Sequence, residues 1–210
     1  MPPHDIHEIR LELRARGLAA RESLTPEMRH NFSEEIARRL KDYLAEKSAA
    51  ADRVLHCYIS FRSEVETREF IEDAIREGTR VIVPVVENHG EVIEDAPTGE
   101  RLVHTEIRGI TGLIKGRFGL EEPQERTPSS IETLDAVIVP LVAFDRYGTR
   151  LGYGKGFYDV FLHKLSRSGP ERIGLAFSTQ EAEYIPALAH DEPLDTIITE
   201  REIIHAVERC

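Results

Sequence analysis

The sequence predicts an α/β fold with three layers and a mostly parallel β-sheet. Short apolar runs rich in Val and Ile alternate along the chain with longer segments of helical apolar spacing. This alternation is typical of parallel sheets that carry helices on both faces. The chain has 210 residues, 40% of them hydrophobic. This size and composition suit one core, so residues 1–210 are expected to form a single domain.

Four helices are predicted, with boundaries taken from capping residues and apolar spacing. Thr25 and Pro26 are a typical N-cap and first helical residue, and Thr67 is a suitable N-cap for a later helix that Gly78 ends. An apolar stripe that begins at Ile6 predicts the first helix. The predicted helices span residues 6–21, 26–46, 68–77 and 157–165.

Strands are predicted at short runs of β-branched and apolar residues. The predicted strands span residues 54–59, 80–86, 101–107, 136–139, 172–177 and 196–199. Residues 101–107 alternate in polarity, which favours an antiparallel edge strand, and Pro84 interrupts the second run. Residues 109–128 contain four glycines and are expected to be irregular. A connection of this length in a compact domain is more often functional than idle.

Charge and cysteine content limit the classes of function. The net charge of −11 argues against general nucleic-acid binding, although a local basic pocket for a nucleotide remains compatible with it. Residues 1–21 are charged throughout, so neither a signal peptide nor a membrane span is expected. Cys57 and Cys210 form neither a zinc pattern nor a disulfide framework. A reducing cytoplasm is therefore the expected location.

A glycine-rich loop at residues 152–156 suggests a phosphate site. It follows an apolar strand and runs directly into a helical pattern. Glycine lets backbone N–H groups approach an anion, and a helix N-terminus adds donors and partial positive charge. Lys155 and Arg150 supply full charges, and Asp159 is placed to hold a magnesium ion against phosphates. An ordinary glycine-rich turn before a helix remains the alternative.

Other candidate residues have two interpretations each. Arg10 and Arg14 share a helix face, which fits either a solvated basic surface or a pair that reaches an anion. Glu66 either binds a ligand or places negative charge near a helix N-terminus. His190 and Asp191 are either ligand-binding or ordinary surface residues.

Several motifs resemble the 5-formyltetrahydrofolate cyclo-ligases, also called methenyltetrahydrofolate synthetases. The most extended is Val-Pro-Leu-Val-Ala-Phe-Asp-Arg-Tyr-Gly-Thr-Arg-Leu-Gly-Tyr-Gly-Lys-Gly-Phe-Tyr-Asp at residues 139–159. The resemblance also includes Leu24-Thr-Pro-Glu27, residues 60–67, the Gly-Leu-Glu-Glu-Pro turn at 119–123, and residues 190–200. Because these motifs occur in order over nearly the whole chain, together they are more specific than any one alone.

The resemblance implies a fold like the sugar-phosphate isomerase and CoA-transferase group, with ATP and Mg²⁺ required. It implies the following ATP-binding residues: Arg10, Arg14, Arg150, Leu151, Gly152, Tyr153, Gly154, Lys155, Gly156, Phe157 and Tyr158. Within that set, Lys155, Tyr158 and Arg150 are the candidate catalytic residues. Phe61 and Glu66 would contact the folate, and Asp159 and Asp191 would be magnesium ligands.

The activity implied is an ATP-dependent ligase of folate one-carbon metabolism. It closes 5-formyltetrahydrofolate to 5,10-methenyltetrahydrofolate and releases ADP and phosphate. The expected partner is a reduced folate, without nucleic acid or membrane, and the expected state is a monomer, with a dimer as the alternative.

Three positions depart from the family pattern. The family usually has lysine where Arg10 stands, often arginine where Tyr153 stands, and often tyrosine where Phe157 stands. An enzyme acting on another N-formyl or pterin-like substrate, or a nucleotide-binding regulator without folate activity, therefore remains an alternative.

Overall fold

The computed structural model describes residues 5–48, 51, 53–91 and 99–207. Cys210 and most of the connections at 49–52 and 92–98 lie outside these ranges. The helices are α1 (Ile6–Glu22), α2 (Pro26–Ala45), α3 (Arg68–Arg76) and α4 (Phe157–His163). The strands are β1 (Val54–Cys57), β2 (Arg80–Asn88), β3 (Glu100–Ile107), β4 (Leu113–Lys115), β5 (Glu121–Pro123), β6 (Ala136–Pro140), β7 (Ala143–Phe144), β8 (Arg150–Leu151), β9 (Glu171–Leu175), β10 (Thr196–Ile198) and β11 (Ile203–His205).

The predicted α/β class with a mostly parallel sheet is confirmed. Seven strands form one sheet in the order β11-β10-β9-β6-β1-β2-β3. The five central strands are parallel to one another, whereas β3 and β11 pair antiparallel at the two edges. The antiparallel edge strand expected at 101–107 is therefore present as β3. Residues 203–205 form the other edge strand, β11.

Helices cover both faces of the sheet because successive strand residues point to opposite sides. On one face, Leu55 and Cys57 of β1 belong to a buried cluster with side chains of α2 and α3. On the other face, Val54 of β1 and Val139 of β6 pack with Phe161 of α4. The central strands are buried on both sides, which explains their nearly continuous apolar sequences.

Thr25 and Thr67 are the N-cap residues of α2 and α3 as predicted, but only the Thr25 side chain makes the capping hydrogen bond. The Thr25 hydroxyl accepts a hydrogen bond from Met28 N at 3.1 Å. The Thr67 hydroxyl instead donates to Tyr58 O at 2.7 Å and accepts from Ser60 N at 3.0 Å. The Thr67 side chain therefore closes the segment that follows β1 instead of capping α3.

The strand predicted at 80–86 is present as β2, and Pro84 does not interrupt it. Strand β2 continues through Pro84, which pairs opposite His104 of β3. The pairing of β2 with β1 ends at Ile82, so Pro84 has no partner in β1. The N–H that Pro84 lacks would therefore not have formed a hydrogen bond with β1.

The connection at 109–128 is more regular than predicted. Strands β4 and β5 form an antiparallel hairpin, with a short 3-10 turn between them. The strands have three residues each, too few for alternation to be visible in the sequence. Phe118 in the turn adopts a left-handed conformation, with φ of 58°.

Helix α1 lies against the connection between β6 and β7, and Gly17 permits that approach. A Cβ atom at Gly17 would lie 2.4 Å from Val142 O and 3.1 Å from the Ala143 Cβ. A backbone oxygen cannot rotate away from such a contact. The absence of a side chain at residue 17 therefore sets the distance between α1 and the sheet.

We expect Gly17→Ala to lower the free energy of unfolding by about 1–3 kcal/mol, because overpacking against backbone outweighs the better helix propensity of alanine. Urea denaturation measures the change. Arg16→Ala is the matched control on the exposed side of the same helix, with an expected change within about 0.5 kcal/mol. A Gly17→Ala protein as stable as the wild type would contradict this account of α1 packing.

Candidate active site

The candidate site lies at the carboxyl ends of β1 and β6. The chain passes from β1 to β2 on one side, and β6 lies on the other side of β1. In open α/β sheets, ligands bind in the crevice at such a change of direction. The segments that leave these two strands, residues 58–67 and 141–156, therefore begin at the same edge. They carry most of the residues predicted to bind ligands.

A buried carboxylate fixes the turn that precedes the glycine loop. Asp145 is fully buried, and its Oδ1 accepts hydrogen bonds from Tyr147 N at 3.0 Å and Thr149 N at 2.9 Å. Its Oδ2 accepts a hydrogen bond from Ile185 N at 2.9 Å. One side chain thus ties β7, β8 and a distant connection together, which gives the glycine loop a rigid base.

The glycine loop is open on its outer side. Gly154 and Gly156 have φ of 91° and 72°, in the left-handed region that favours glycine. A Cβ atom at Gly152 or Gly156 would meet no atom within 4 Å among the described residues. Backbone N–H groups there have room for a ligand. Leu151 is buried in β8 before the loop, and Phe157 begins α4 after it.

Arg10 of α1 forms a buried bidentate ion pair with Asp191. The two guanidinium nitrogens donate to the two carboxylate oxygens at 2.6 and 2.9 Å, and NH1 also donates to Pro186 O at 2.8 Å. Both side chains are under 10% exposed, at 6% and 9%. Arg10 is thus no part of a solvated face. Burial alone would raise the pKa of Asp191, but hydrogen bonds from Arg10 and Leu188 N keep that pKa below its ordinary value.

Arg14 lies one helical turn further along and reaches the loop itself. Its Nε donates to Gly152 O at 3.1 Å. Partial burial and the nearby Arg10 charge lower the pKa of Arg14, and the carboxylates of Asp191 and Asp159 act in the opposite direction. An arginine in this setting has an electrostatic preference for an additional anion. Arg10 and Arg14 therefore form a basic corner beside the glycine loop.

Arg150 is directed at Asp159. Its NH2 donates to Asp159 Oδ1 at 2.8 Å, NH1 donates to Glu192 O, and its side chain is 4% exposed. Glu192 N donates to the same Asp159 oxygen at 3.3 Å. Within the described residues, no donor forms a hydrogen bond with Asp159 Oδ2. The structure thus orients one oxygen of Asp159 and leaves the other available.

Lys155 projects from the loop on the side of the β4–β5 hairpin. Its ammonium is half-exposed, lies 3.8 Å from Glu100 Oε2 and sits 5.0 Å from the centre of the Phe118 ring. Arg117 donates to the other Glu100 oxygen at 3.0 Å. Lys155 is therefore held loosely enough to turn toward an anion in the loop.

Phe61 and Glu66 lie on the segment after β1 but have different surroundings. A Cβ atom at Gly119 would lie 3.8 Å from the Phe61 ring, so the hairpin tip comes alongside this ring. Glu66 is exposed, and its Oε2 lies 2.9 Å from His30 Nδ1. The hydrogen bond to Glu66 raises the pKa of His30. Phe61 lies beside the tip of the β4–β5 hairpin, whereas Glu66 contacts α2.

Tyr158 lies beneath the loop with its hydroxyl buried. Its ring meets His56 and Phe161 at centroid distances of 6.1 and 6.2 Å. The hydroxyl has no hydrogen-bond partner within the part of the chain that the structure describes. Burial raises the pKa of Tyr158 well above its ordinary value. The tyrosine is therefore uncharged and packs against the sheet.

Three further residues at the site were not proposed from sequence. Arg21 donates to the Tyr153 hydroxyl at 2.6 Å. Glu64 is buried next to Phe61, and Phe118 extends over Lys155. Arg21 continues the arginine spacing of α1, which was the available sequence signal. No sequence signal marked Glu64 or Phe118, because the rest of the site that they join comes from distant parts of the chain.

A cleft of about 640 Å³ opens on the far side of Arg150 and Asp191. Thr149, Ala187 and Leu194 contribute to its wall. This volume is within the usual range for a small-molecule site. The described residues contain no cluster of three or more His, Cys, Asp or Glu side chains able to hold a metal ion. In the same ranges, no helix combines the length and apolarity that crossing a bilayer requires.

Sequence comparison identifies the family. The profile of the 5-formyltetrahydrofolate cyclo-ligase family matches residues 6–200. The chain belongs to this family. The 5-formyltetrahydrofolate cyclo-ligase of Escherichia coli K12 is 31% identical over 185 residues, which cover 87% of this chain and 96% of that protein. The Saccharomyces cerevisiae cyclo-ligase is 31% identical over 171 residues, covering 75% and 81%.

Solved structures agree with the family assignment. The 5,10-methenyltetrahydrofolate synthetase of Aquifex aeolicus superposes with a TM-score of 0.78 at 29% identity, covering 96% of this chain and 95% of that one. The synthetase of Mycoplasma pneumoniae gives a TM-score of 0.68 at 26% identity, covering 91% and 98%. The resemblance inferred from the motifs is thus confirmed, and with it the class of enzyme, a ligase of the cyclo-ligase family.

We expect Asp191→Asn to lower the free energy of unfolding by about 3 kcal/mol at pH 7, because it leaves Arg10 buried without its counter-charge. Because the pKa of Asp191 is lowered in the folded protein, the contribution of the pair to the free energy of unfolding depends on pH. This contribution is full above the ordinary pKa of 3.8 and is lost as the pH falls below 3.8 and through the lowered pKa. Urea denaturation at pH 7 and at pH 3 measures both effects.

Asp42→Asn is the control, since the Arg38–Asp42 pair on α2 is exposed, at 58% and 64%. Its loss should cost under about 0.5 kcal/mol. Equal effects of the two substitutions at pH 7, or a difference that does not shrink from pH 7 to pH 3, would contradict the role given to the Arg10–Asp191 pair.

Proposed function

We propose that this chain closes 5-formyltetrahydrofolate to 5,10-methenyltetrahydrofolate at the expense of ATP, and that the site around the glycine loop performs this reaction. Membership of the cyclo-ligase family carries the assignment. The grouping of Arg10, Arg14 and Lys155 around an open glycine loop supports the choice of site.

The reaction has to remove the oxygen of an N-formyl group, which is a poor leaving group. In the proposed sequence this oxygen attacks the γ-phosphorus of ATP, so a P–O bond forms and the bond to ADP breaks. N10 of the folate then attacks the formyl carbon, the C–O bond breaks, and phosphate leaves with the electron pair. The N10 proton passes to solvent. The protein contributes position and charge stabilisation, as in other phosphoryl transfers.

The phosphate-binding part consists of the loop and three cations. The space beside Gly152 and Gly156 is open, and Arg14 is already bonded to a carbonyl of this loop. Lys155 turns from Glu100 toward the transferring phosphate. Arg10 adds positive charge nearby and holds Asp191 in place. Each charge-assisted contact is worth on the order of 1.5–3 kcal/mol.

Arg150 and Tyr158 act through other groups. Arg150 is buried, and its hydrogen bonds position Asp159 and the segment at Glu192. Tyr158 is buried without an acceptor for its proton among the described residues, and it supports the base of the loop. Among the three catalytic candidates, direct contact with the transferring phosphate is therefore assigned to Lys155.

The carboxylates of Asp159 and Asp191 fit a magnesium ion held beside the phosphates. A bound Mg²⁺ would supply positive charge against the charge that develops on the transferring phosphate. Asp159 Oδ2 is uncommitted to protein donors in the described ranges, and Asp191 Oδ1 accepts one hydrogen bond, from Arg10. In nucleotide sites one or two carboxylates commonly suffice, because phosphates and water supply the other ligands. Asp159 is the stronger candidate ligand, and Asp191 the second.

The folate is assigned to the surface between the loop and the segment after β1, where Phe61 lies. Phe61 lies against the pterin ring, with the tip of the β4–β5 hairpin beside it. Glu66 accepts hydrogen bonds from donor nitrogens of the pterin. These hydrogen bonds replace its contact with His30. The cleft of about 640 Å³ beyond Arg150 has room for the nucleoside part of ATP.

Further assignments follow from the same proposal. The fold is placed in the sugar-phosphate isomerase and CoA-transferase-like group on the basis of the family resemblance. Residues 1–210 are taken as one domain, since both faces of one sheet are covered by its own helices. A monomer, with a dimer as the alternative, and a cytoplasmic location complete the proposal.

The direct test mixes the protein with 5-formyltetrahydrofolate, ATP and Mg²⁺ and follows the near-ultraviolet absorbance of methenyltetrahydrofolate together with phosphate release. Equal amounts of both products are expected. Phosphate without the absorbance change would favour another N-formyl or pterin-like substrate. Neither signal, with nucleotide binding retained, would favour a regulator and would overturn the proposed reaction.

We expect Lys155→Ala to lower kcat by about 10²- to 10³-fold, because it removes a positive charge from the transferring phosphate. Lys115→Ala removes an exposed lysine from the neighbouring hairpin and should retain the wild-type rate. Steady-state kinetics with both proteins, checked by thermal unfolding, measures the difference. Wild-type turnover in the Lys155 variant would refute its role.

We expect Asp159→Asn to raise the Mg²⁺ concentration needed for half-maximal activity, since an amide oxygen binds a hard cation more weakly than a carboxylate. The amide still accepts a hydrogen bond from Arg150. The electron paramagnetic resonance of Mn²⁺, titrated into enzyme with ADP, provides a readout independent of turnover. Unchanged Mg²⁺ and Mn²⁺ titrations would remove Asp159 from the metal site.

A further inference from the structure

The Tyr153 hydroxyl joins three parts of the molecule. Tyr153 belongs to the glycine loop, and its hydroxyl accepts a hydrogen bond of 2.6 Å from Arg21 NH2, near the end of α1. The Arg21 guanidinium also lies 5.6 Å from the centre of the Tyr153 ring. Arg21 Nε in turn donates to Ser63 Oγ at 3.1 Å, on the segment after β1. Through Arg21, one side chain of the proposed nucleotide loop is thus connected to two other elements.

Glu64 in turn holds the turn that presents Phe61. Its Oε2 accepts a hydrogen bond from Phe61 N at 2.9 Å, and its own N donates to Phe61 O at 3.2 Å. Arg62, inside this turn, has φ of 55°, a left-handed conformation that is uncommon for a residue other than glycine. Such a conformation persists only where the surroundings fix it. Glu64 supplies that fixation.

Arg21 secures the same turn from its other side. Its Nε donates to Ser63 Oγ at 3.1 Å, and the side chain is 1% exposed. The orientation of the turn therefore depends on both Arg21 and Glu64, and Tyr153 contacts Arg21 directly. These four residues, Arg21, Ser63, Glu64 and Tyr153, form what we call the loop clasp. The clasp links the loop to the turn that carries Phe61.

We propose that Tyr153 is a positioning residue that couples nucleotide binding in the glycine loop to folate binding at Phe61. Occupation of the loop by phosphates fixes the Tyr153 hydroxyl, which fixes Arg21 and, through the Ser63 hydroxyl, the Phe61 turn. Each ligand then tightens the other, and by linkage the two effects are equal. The inference rests on the proposed function, because it takes the loop as the nucleotide site and Phe61 as part of the folate site.

The test is calorimetric titration of 5-formyltetrahydrofolate into the full chain, with and without a non-hydrolysable ATP analogue and Mg²⁺. For the wild type, the analogue should lower the Kd for the folate. In Tyr153→Phe, which keeps the ring and removes the hydroxyl, this effect should shrink by about five- to tenfold, the value of one hydrogen bond. The Kd of the analogue alone is measured in the same titrations, which distinguishes a loss of coupling from a direct loss of nucleotide binding.

Tyr184→Phe is the matched control, since Tyr184 is an exposed tyrosine outside the site. It should retain wild-type coupling. Independent binding of the two ligands to the wild type, or full coupling in Tyr153→Phe, would overturn this inference and leave the proposed function standing. Failure of the wild type to bind either ligand would instead overturn the proposed function.

The pH dependence of the coupling provides a second readout that a packing role would not change. Burial raises the pKa of Glu64 to about 6, so the carboxylate is charged at pH 7 and becomes neutral as the pH falls through that value. The groups that face it are Arg21 from α1, Tyr153 from the loop, Tyr58 after β1 and Tyr158 from α4.

In the wild type, coupling should weaken as the pH is lowered from 7.5 to about 5.5, because a neutral acid accepts hydrogen bonds more weakly. In Glu64→Gln, which keeps an acceptor for Phe61 N, coupling should be weak and independent of pH over this range. An unchanged transition near pH 6 in the Glu64→Gln protein would contradict the clasp.

Discussion

The buried ion pair between Arg10 and Asp191 is the contact on which the geometry of the site depends. It joins the first helix to the last third of the chain, 181 residues away. The bidentate geometry fixes Arg10 in direction as well as distance, and the low exposure of both groups makes separation costly. Because α1 also carries Arg14 and Arg21, this pair and the close approach at Gly17 together place three arginines along one side of the glycine loop.

The strand order determines where this cation-rich side lies. In open α/β sheets, a change of direction like that between β1 and β6 marks the ligand crevice at the carboxyl ends of the strands, and both segments proposed to bind ligands leave from there. Buried carboxylates then make these segments rigid: Asp145 beneath the glycine loop, and Glu64 beneath the Phe61 turn. In a chain with a net charge of −11, such local order is what turns a few cations into a site for a highly charged anion.

Sequence reasoning predicted the features whose causes are local. The helices were found because capping and apolar spacing act within a few residues, as at Thr25 and Pro26. The β4–β5 hairpin was missed because three-residue strands carry no periodicity. An interruption was expected in strand β2 at Pro84, since the sequence could not show that its neighbour β1 stops pairing before that point. Among site residues, the motif at 139–159 identified the loop, but the partners of Tyr153 come from α1 and the segment after β1 and were invisible before folding.

The central claim is that the glycine loop binds the triphosphate of ATP. The most direct measurement is a titration of the ¹⁵N-labelled protein with a non-hydrolysable ATP analogue and Mg²⁺, followed by amide correlation spectra. The account predicts that the amides of Gly152, Gly154 and Gly156, together with the Arg14 side chain, shift first and most. Saturable nucleotide binding that leaves these glycine amides unshifted, or no binding at millimolar concentrations, would contradict it.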